Sequence, residues 1–195
     1  MKTLNLRITG VTDLLMHNGQ TADPLNEFSR AIKAISSKRA KTDEDFEEMA
    51  RLEYSAGLYL DKKGRPCIPG EVLEAAIFGR GGAARKARAG KQAQAAMFID
   101  GSFPLEYEGA KDVEEMWKDE SLRHVTAVRV QANKVMRTRP RIPAPWSAEV
   151  TVSYNEKLLN ERDIVEWFHT CGEEVGLMDW RPRYGRFSVE VLNGK

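Results

Sequence analysis

The chain has two cysteines, Cys67 and Cys171, far apart in sequence. So few thiols build neither a disulfide framework nor a metal cluster, and a reducing cytoplasmic setting is expected. No run of about 18 apolar residues occurs, so no membrane-spanning helix is expected. The first residues, Met1-Lys2-Thr3-Leu4-Asn5-Leu6-Arg7-Ile8, alternate like a strand and lack the apolar block of a signal peptide. An excess of one charge is also missing. Thirty Lys and Arg face 29 Asp and Glu, a net charge of +1, so bulk charge does not announce a polyanion partner. There are no paired carboxylates, no metal-ligand spacing and no Ser/His/Asp order. Gly79-Arg80-Gly81-Gly82 follows no strand and lacks the phosphate-loop lysine. Neither a metal nor a cofactor is expected.

What the chain does have is segregated charge. Acids gather in Asp43–Glu48 and Glu106–Glu120. Bases gather in three acid-free windows: Arg80, Arg85, Lys86, Arg88 and Lys91; then Arg129, Lys134, Arg137, Arg139 and Arg141; then Arg181, Arg183 and Arg186. A neutral molecule with such segregation carries local basic surfaces. The last window also holds Trp180 and Tyr184, in a stretch bounded by Gly176 and Gly185. Arginine with aromatics in such a loop suits phosphates and unstacked bases.

Leu4, Leu6, Ile8 and Val11 predict a strand over residues 2–12. Asp23-Pro24 predicts a helix with Asp23 as its cap and Leu25, Phe28, Ile32 and Ile35 as its apolar stripe. Thr42-Asp43-Glu44-Asp45 caps a second helix, and a hairpin turns at Asp61–Gly64. A core helix follows Pro69-Gly70. The Ala83–Ala96 stretch reads as helical or mobile, its flanking glycines favouring mobility. Strands are expected over 125–136 and 146–154, a helix over 161–175, and a last strand from Phe187. Stripped of insertions the order is strand, helix, strand, strand, helix, strand. That is the βαββαβ order of α+β ferredoxin-like and RRM-like folds. Residues 1–195 then form a single domain, with a helical insertion at 24–57 and a second insertion, carrying the basic segment, at 79–123.

Three motifs carry a family resemblance. Ile68-Pro69-Gly70-Glu71 before a helix resembles the Ile-Pro-Gly turn of the RAMP superfamily. Val11 to Gly19, with Leu14-Leu15-Met16-His17, resembles that family's first strand and turn. Gly176 to Phe187 resembles its C-terminal glycine-rich loop feeding the last strand. In order and placement they are most similar to the Cas7-like backbone subunit of CRISPR effector complexes. Glu71 stands where the family has a small hydroxyl residue, and Pro182 and Tyr184 where it often has Gly and Phe. A diverged relative carried by a phage or mobile element is equally consistent.

The resemblance implies an RNA-binding subunit that assembles head-to-tail along a single-stranded guide RNA, with copies of itself and other effector subunits as partners and no membrane. The nucleic-acid-binding candidates are His17, the basic residues Arg80, Arg85, Lys86, Arg88, Lys91, Arg129, Lys134, Arg137 and Arg139, and the loop residues Trp180, Arg181, Arg183, Tyr184 and Arg186. Each has a plainer reading. The loop arginines also suit a helix C-terminus or an edge strand, and the first window also suits a solvated helix face. The 129–141 segment is a thumb-like hairpin over the guide or an ordinary long loop. His17 is a surface histidine, a phosphate contact or an acid–base group. Asp23 is a helix cap or a nuclease carboxylate. Binding without catalysis is the expectation; its rivals are a RAMP-type endoribonuclease, a single-stranded DNA binder and a self-assembling structural protein.

Overall fold

Local chemistry places most helix starts. Thr42 Oγ1 accepts from the Asp45 amide (3.3 Å) while the Asp45 carboxylate accepts from the Thr42 amide (3.2 Å), a reciprocal cap that satisfies two otherwise orphaned donors. The computed structural model describes residues 1–192. In chain order its elements are β1 (Lys2–Gly10), β2 (Leu14–Leu15), a single turn at Gly19–Ala22, α1 (Glu27–Ser36), α2 (Asp43–Gly57), β3 (Cys67–Pro69), α3 (Gly70–Ile77), α4 (Ala83–Lys86), α5 (Gly90–Ala96), β4 (Met97–Phe98), β5 (Ser102–Pro104), α6 (Val113–Lys118), a turn at Glu120–Leu122, β6 (Arg123–Val130), β7 (Asn133–Ile142), β8 (Ser147–Tyr154), α7 (Glu161–Thr170), a wide turn at Cys171–Val175, and β9 (Phe187–Leu192). The class is α+β.

The chain forms two compact units. The first comprises Met1–Leu14, Leu60–Glu108 and the chain from Ile142 onward. Its four-stranded sheet has the order β4-β8-β1-β9, every pair antiparallel. With α3 between β1 and β4, and α7 between β8 and β9, this is a βαββαβ unit. Alternation in β1 sends Leu4, Leu6 and Ile8 inward, opposite Val152, Val150 and Ala148 of β8, and all six are buried. Each large aliphatic side chain so buried contributes roughly 1.5–3 kcal/mol. Helices α3, α4 and α7 and the wide turn pack on one another, and α7 lies against β9.

The second unit comprises Leu15–Tyr59 and Gly109–Arg141. Helices α1 and α2 pair, and β2, β7 and β6 form a sheet in that order. Tyr54 is fully buried, its ring 5.4 Å from the Trp117 ring in an edge arrangement, and the Arg123 guanidinium sits 4.7 Å over Trp117. No helix among the described residues is long and apolar enough to cross a membrane.

Two expectations are corrected. The strand over 125–136 is not the second strand of the core sheet. Its residues belong to β6 and β7, which pair with each other across a tight turn where Gln131 has φ +54°. The core's second strand is the two-residue β4. Period-two alternation marks a strand without naming its partner, and two residues are too few to show a period. The first long helix begins at Glu27 rather than Pro24. Asn26 Oδ1 caps it by accepting from the Phe28 amide (2.9 Å), while Asp23 Oδ1 closes a separate turn on the Leu25 amide (2.8 Å). Leu25 therefore lies outside the helix and is 69% exposed.

Candidate nucleic-acid interface

The Gly176–Arg186 segment is a loop pinched at its neck. The wide turn ends with the Gly176 amide donating to the Cys171 carbonyl (2.7 Å). The Leu177 amide then donates to the Gly185 carbonyl (3.0 Å), so the two ends of the loop meet. Gly176 and Gly185 both have φ +72°, a conformation that favours glycine. A Cβ on Gly185 would lie 2.2 Å from the Leu177 carbonyl oxygen. Leu177 is fully buried and anchors the neck.

Residues beyond the neck bulge outward. Met178 (φ +61°) and Trp180 (φ +55°) are left-handed, and the Tyr184 amide donates to the Trp180 carbonyl (3.2 Å). The Trp180 and Tyr184 rings stack 15° from parallel with centroids 6.2 Å apart, and the Arg183 guanidinium lies 5.9 Å from the Tyr184 centroid. Arg181 and Arg183 are exposed.

The loop stands on a rigid base. The Gly185 amide donates to the Asp13 carbonyl (2.8 Å), and the Val11 amide to the Arg186 carbonyl (2.8 Å). The Arg186 amide donates to Thr12 Oγ1 (3.0 Å), and its Nε to the Glu173 carbonyl (2.9 Å). Asp13 Oδ1 accepts from the Ala144 amide (3.0 Å), and Trp146 Nε1 donates to the Thr12 carbonyl (2.9 Å). Arg186 therefore clasps the base, whereas Arg181 and Arg183 project from it. A loop held this way presents its cations with little ordering left to do on binding.

The first basic window reaches the same helix end through helix α4. Residues 83–86 and 90–96 are helices with Ala83, Ala84, Ala93 and Ala96 buried. Gly82 serves close packing, since a Cβ there would lie 2.5 Å from the Ile77 carbonyl oxygen, whereas Gly81 faces open space at φ +77°. Helix α4 packs on the wide turn. Arg85 Nε donates to the Phe78 carbonyl (2.7 Å), and Lys86 pairs with Glu174 (2.7 Å). Arg80, Arg88 and Lys91 are exposed. Cys171 is buried beneath, and burial pushes its thiol up to about 12 against the pull of Arg181 and Lys86. Lys86 of the first window and Arg181 of the third thus meet at one helix end.

The second window lies in the other unit, on the β6–β7 hairpin. Arg129 and Lys134 face each other beside the turn, exposed. Arg137 is held by the Glu53 carboxylate, and Arg139 and Arg141 are half-buried. Val125 and Met136 are exposed on the same hairpin. His17 is exposed, and its carbonyl accepts from the Tyr59 hydroxyl (3.3 Å). His169 is exposed on α7 and His124 half-buried on β6. No group of three His, Cys, Asp or Glu among the described residues is placed to hold a metal ion.

The open face of the four-stranded sheet is unlike an aromatic RNA platform. It carries Thr3, Asn5, Arg7 and Thr9 on β1, Glu149, Thr151 and Ser153 on β8, and Ser188 and Glu190 on β9. Arg7 is shared between Glu149 (2.6 Å) and Glu190 (3.8 Å). Phe98 at the β4 edge, 52% exposed, is the one aromatic of that face among the described residues. With two carboxylates to one guanidinium and no ring in the centre, this face offers a phosphate backbone little.

The fold has a solved counterpart. It is similar to that of a chain in the Type III-B Cmr-beta complex bound to cognate target RNA. The TM-score is 0.52 at 10% sequence identity, over 97% of this chain and 60% of that one. At that identity the likeness is one of fold, and this chain spans about 60% of its neighbour's length. No family model and no curated protein matches the sequence.

Thr12, Asp13 and Trp146 position the loop without any basic or aromatic-cluster signature of their own. Their only signal in sequence is location: one group follows β1 and the other precedes β8. What makes them positioning residues is convergence at one end of the sheet, which depends on strand order.

Proposed function

We propose that this chain is an RNA-binding subunit of Cas7-like type, holding single-stranded RNA at the Gly176–Arg186 loop. The observation that carries this is the pair of exposed arginines, Arg181 and Arg183, on a loop whose Gly185 and Arg186 amides donate to Asp13 and Thr12 and whose Arg186 side chain donates to Glu173. Lys86 of the first basic window stands at the same helix end, paired with Glu174. The fold likeness to a chain of an RNA-bound complex supports the same direction.

The arginine contacts are to the backbone. Guanidinium forks match phosphate oxygens, and phosphate contacts position a strand without reading sequence. In the finer form of the proposal, copies of the chain assemble head-to-tail along a guide RNA in a CRISPR-type ribonucleoprotein. Contacts of that kind are heterologous, and where they do not close they give an open array.

The test is the purified chain with labelled single-stranded RNA, single-stranded DNA and duplex RNA. Tight, salt-sensitive binding of single-stranded RNA supports the proposal. Equal binding of DNA makes it a general single-strand binder. RNA cleavage lost in His17→Ala or Asp23→Ala makes it a nuclease, and assembly that survives nuclease and high salt makes it a structural protein.

A further inference from the structure

The chain has four tryptophans. Trp146 and Trp167 are buried and Trp117 is half-buried, but Trp180 is 43% exposed. Its backbone is left-handed (φ +55°), a conformation that strains any side-chain-bearing residue, and Met178 two residues earlier shares the strain (φ +61°). Two unfavourable features, an exposed indole and a strained backbone, therefore coincide at one residue. Together they hold one flat ring near-parallel to Tyr184, at 15°, with Arg183 at 5.9 Å from the Tyr184 centroid. Packing alone would not call for this, because the buried Leu177 already anchors the loop.

We infer that the Trp180–Tyr184 pair is a stacking platform for one unstacked base of a bound single strand, an assignment that rests on the nucleic-acid role proposed for the loop. Arg181 and Arg183 take the flanking phosphates, and no acid occurs from Arg181 to Val189. A duplex hides its base faces, so the occupant is single-stranded. Every base has a π face, so the platform adds affinity while tolerating sequence. The loop then grips a nucleotide by two kinds of contact, charge on the backbone and stacking on the base.

The experiment compares binding of a short uridine RNA oligomer with an abasic ribose-phosphate oligomer of the same length, using the full chain. Wild type is expected to prefer the base-bearing oligomer by about fivefold to a hundredfold. Trp180→Gly removes the ring while suiting the left-handed backbone. It is expected to abolish that preference, keep the affinity for the abasic oligomer, and melt no lower than wild type. Trp180→Phe is expected to keep part of the preference. Equal binding of the two oligomers by wild type, or a preference that survives Trp180→Gly, overturns the platform. Loss of affinity for both oligomers in Arg181→Ala/Arg183→Ala would at the same time keep the backbone role standing. If wild type binds neither oligomer, the role proposed for the loop fails with the platform.

Discussion

Arg186 and Glu173 meet through a backbone carbonyl: Arg186 Nε donates to the Glu173 C=O at 2.9 Å, and the Glu173 carboxylate is not the acceptor. The guanidinium thereby ties the start of β9 to the end of the helical segment before the loop. Replacing Arg186 by Ala is expected to lower stability by about 1 kcal/mol or more, since a hydrogen bond from a charged group is lost. Arg181→Ala and Arg183→Ala are expected to stay within about 0.5 kcal/mol of wild type. Urea titration of the three variants separates the clasp from the projecting arginines.

Gly185 sits at φ +72° with the Leu177 carbonyl oxygen 2.2 Å from where a Cβ would be. Gly185→Ala therefore meets both backbone strain and a clash with another backbone atom. A loss of roughly 2 kcal/mol or more is expected, read as a shifted denaturation midpoint. The wide turn and the loop neck should open first, visible as faster amide exchange at Leu177.

Burial holds the Cys171 thiol protonated to about pH 12, against 9.0 for the ordinary group. Between those values the unfolded chain has lost the proton and the folded chain keeps it, so stability is full below pH 9 and falls as pH rises above it. Wild type should lose more stability between pH 8 and pH 10 than Cys171→Ala does. Thermal melts of both proteins across that range check the sign.

In the second unit, the Glu53 carboxylate accepts from the Arg137 guanidinium and faces the Thr138 amide at 3.4 Å. Glu53→Ala removes a largely buried acceptor and is expected to cost roughly 1–3 kcal/mol. It also frees Arg137 on the hairpin. Denaturation, followed by the Trp117 signal, reports the loss.

Much of this was legible in the sequence where a signal is local. The Thr42–Asp45 reciprocal cap, the turn at Asp61–Gly64 and the 161–175 helical segment all follow from neighbouring residues. So does the Gly-bounded basic loop, whose composition marks it before any contact is known. What was hidden depends on partners. The two residues of β4 carry no period, so the longer 125–136 alternation stood in for the core strand. Asn26 and Asp23 are equally good caps by type, and only the chain's path chooses between them. Charge alone makes Arg181, Arg183 and Arg186 equal; the fold divides them by turning Arg186 onto Glu173. Gly82 reads as mobility because close approach of two backbones leaves no mark in composition.

The salt dependence of single-stranded RNA binding tests the role of the loop most directly. Anisotropy titrations of wild type and Arg181→Ala/Arg183→Ala over a range of salt concentrations give the slope of log affinity against log salt. The double variant is expected to bind more weakly and to have a slope shallower by about 0.7 for each arginine removed. An unchanged affinity and slope in the double variant would contradict the proposed role of Arg181 and Arg183.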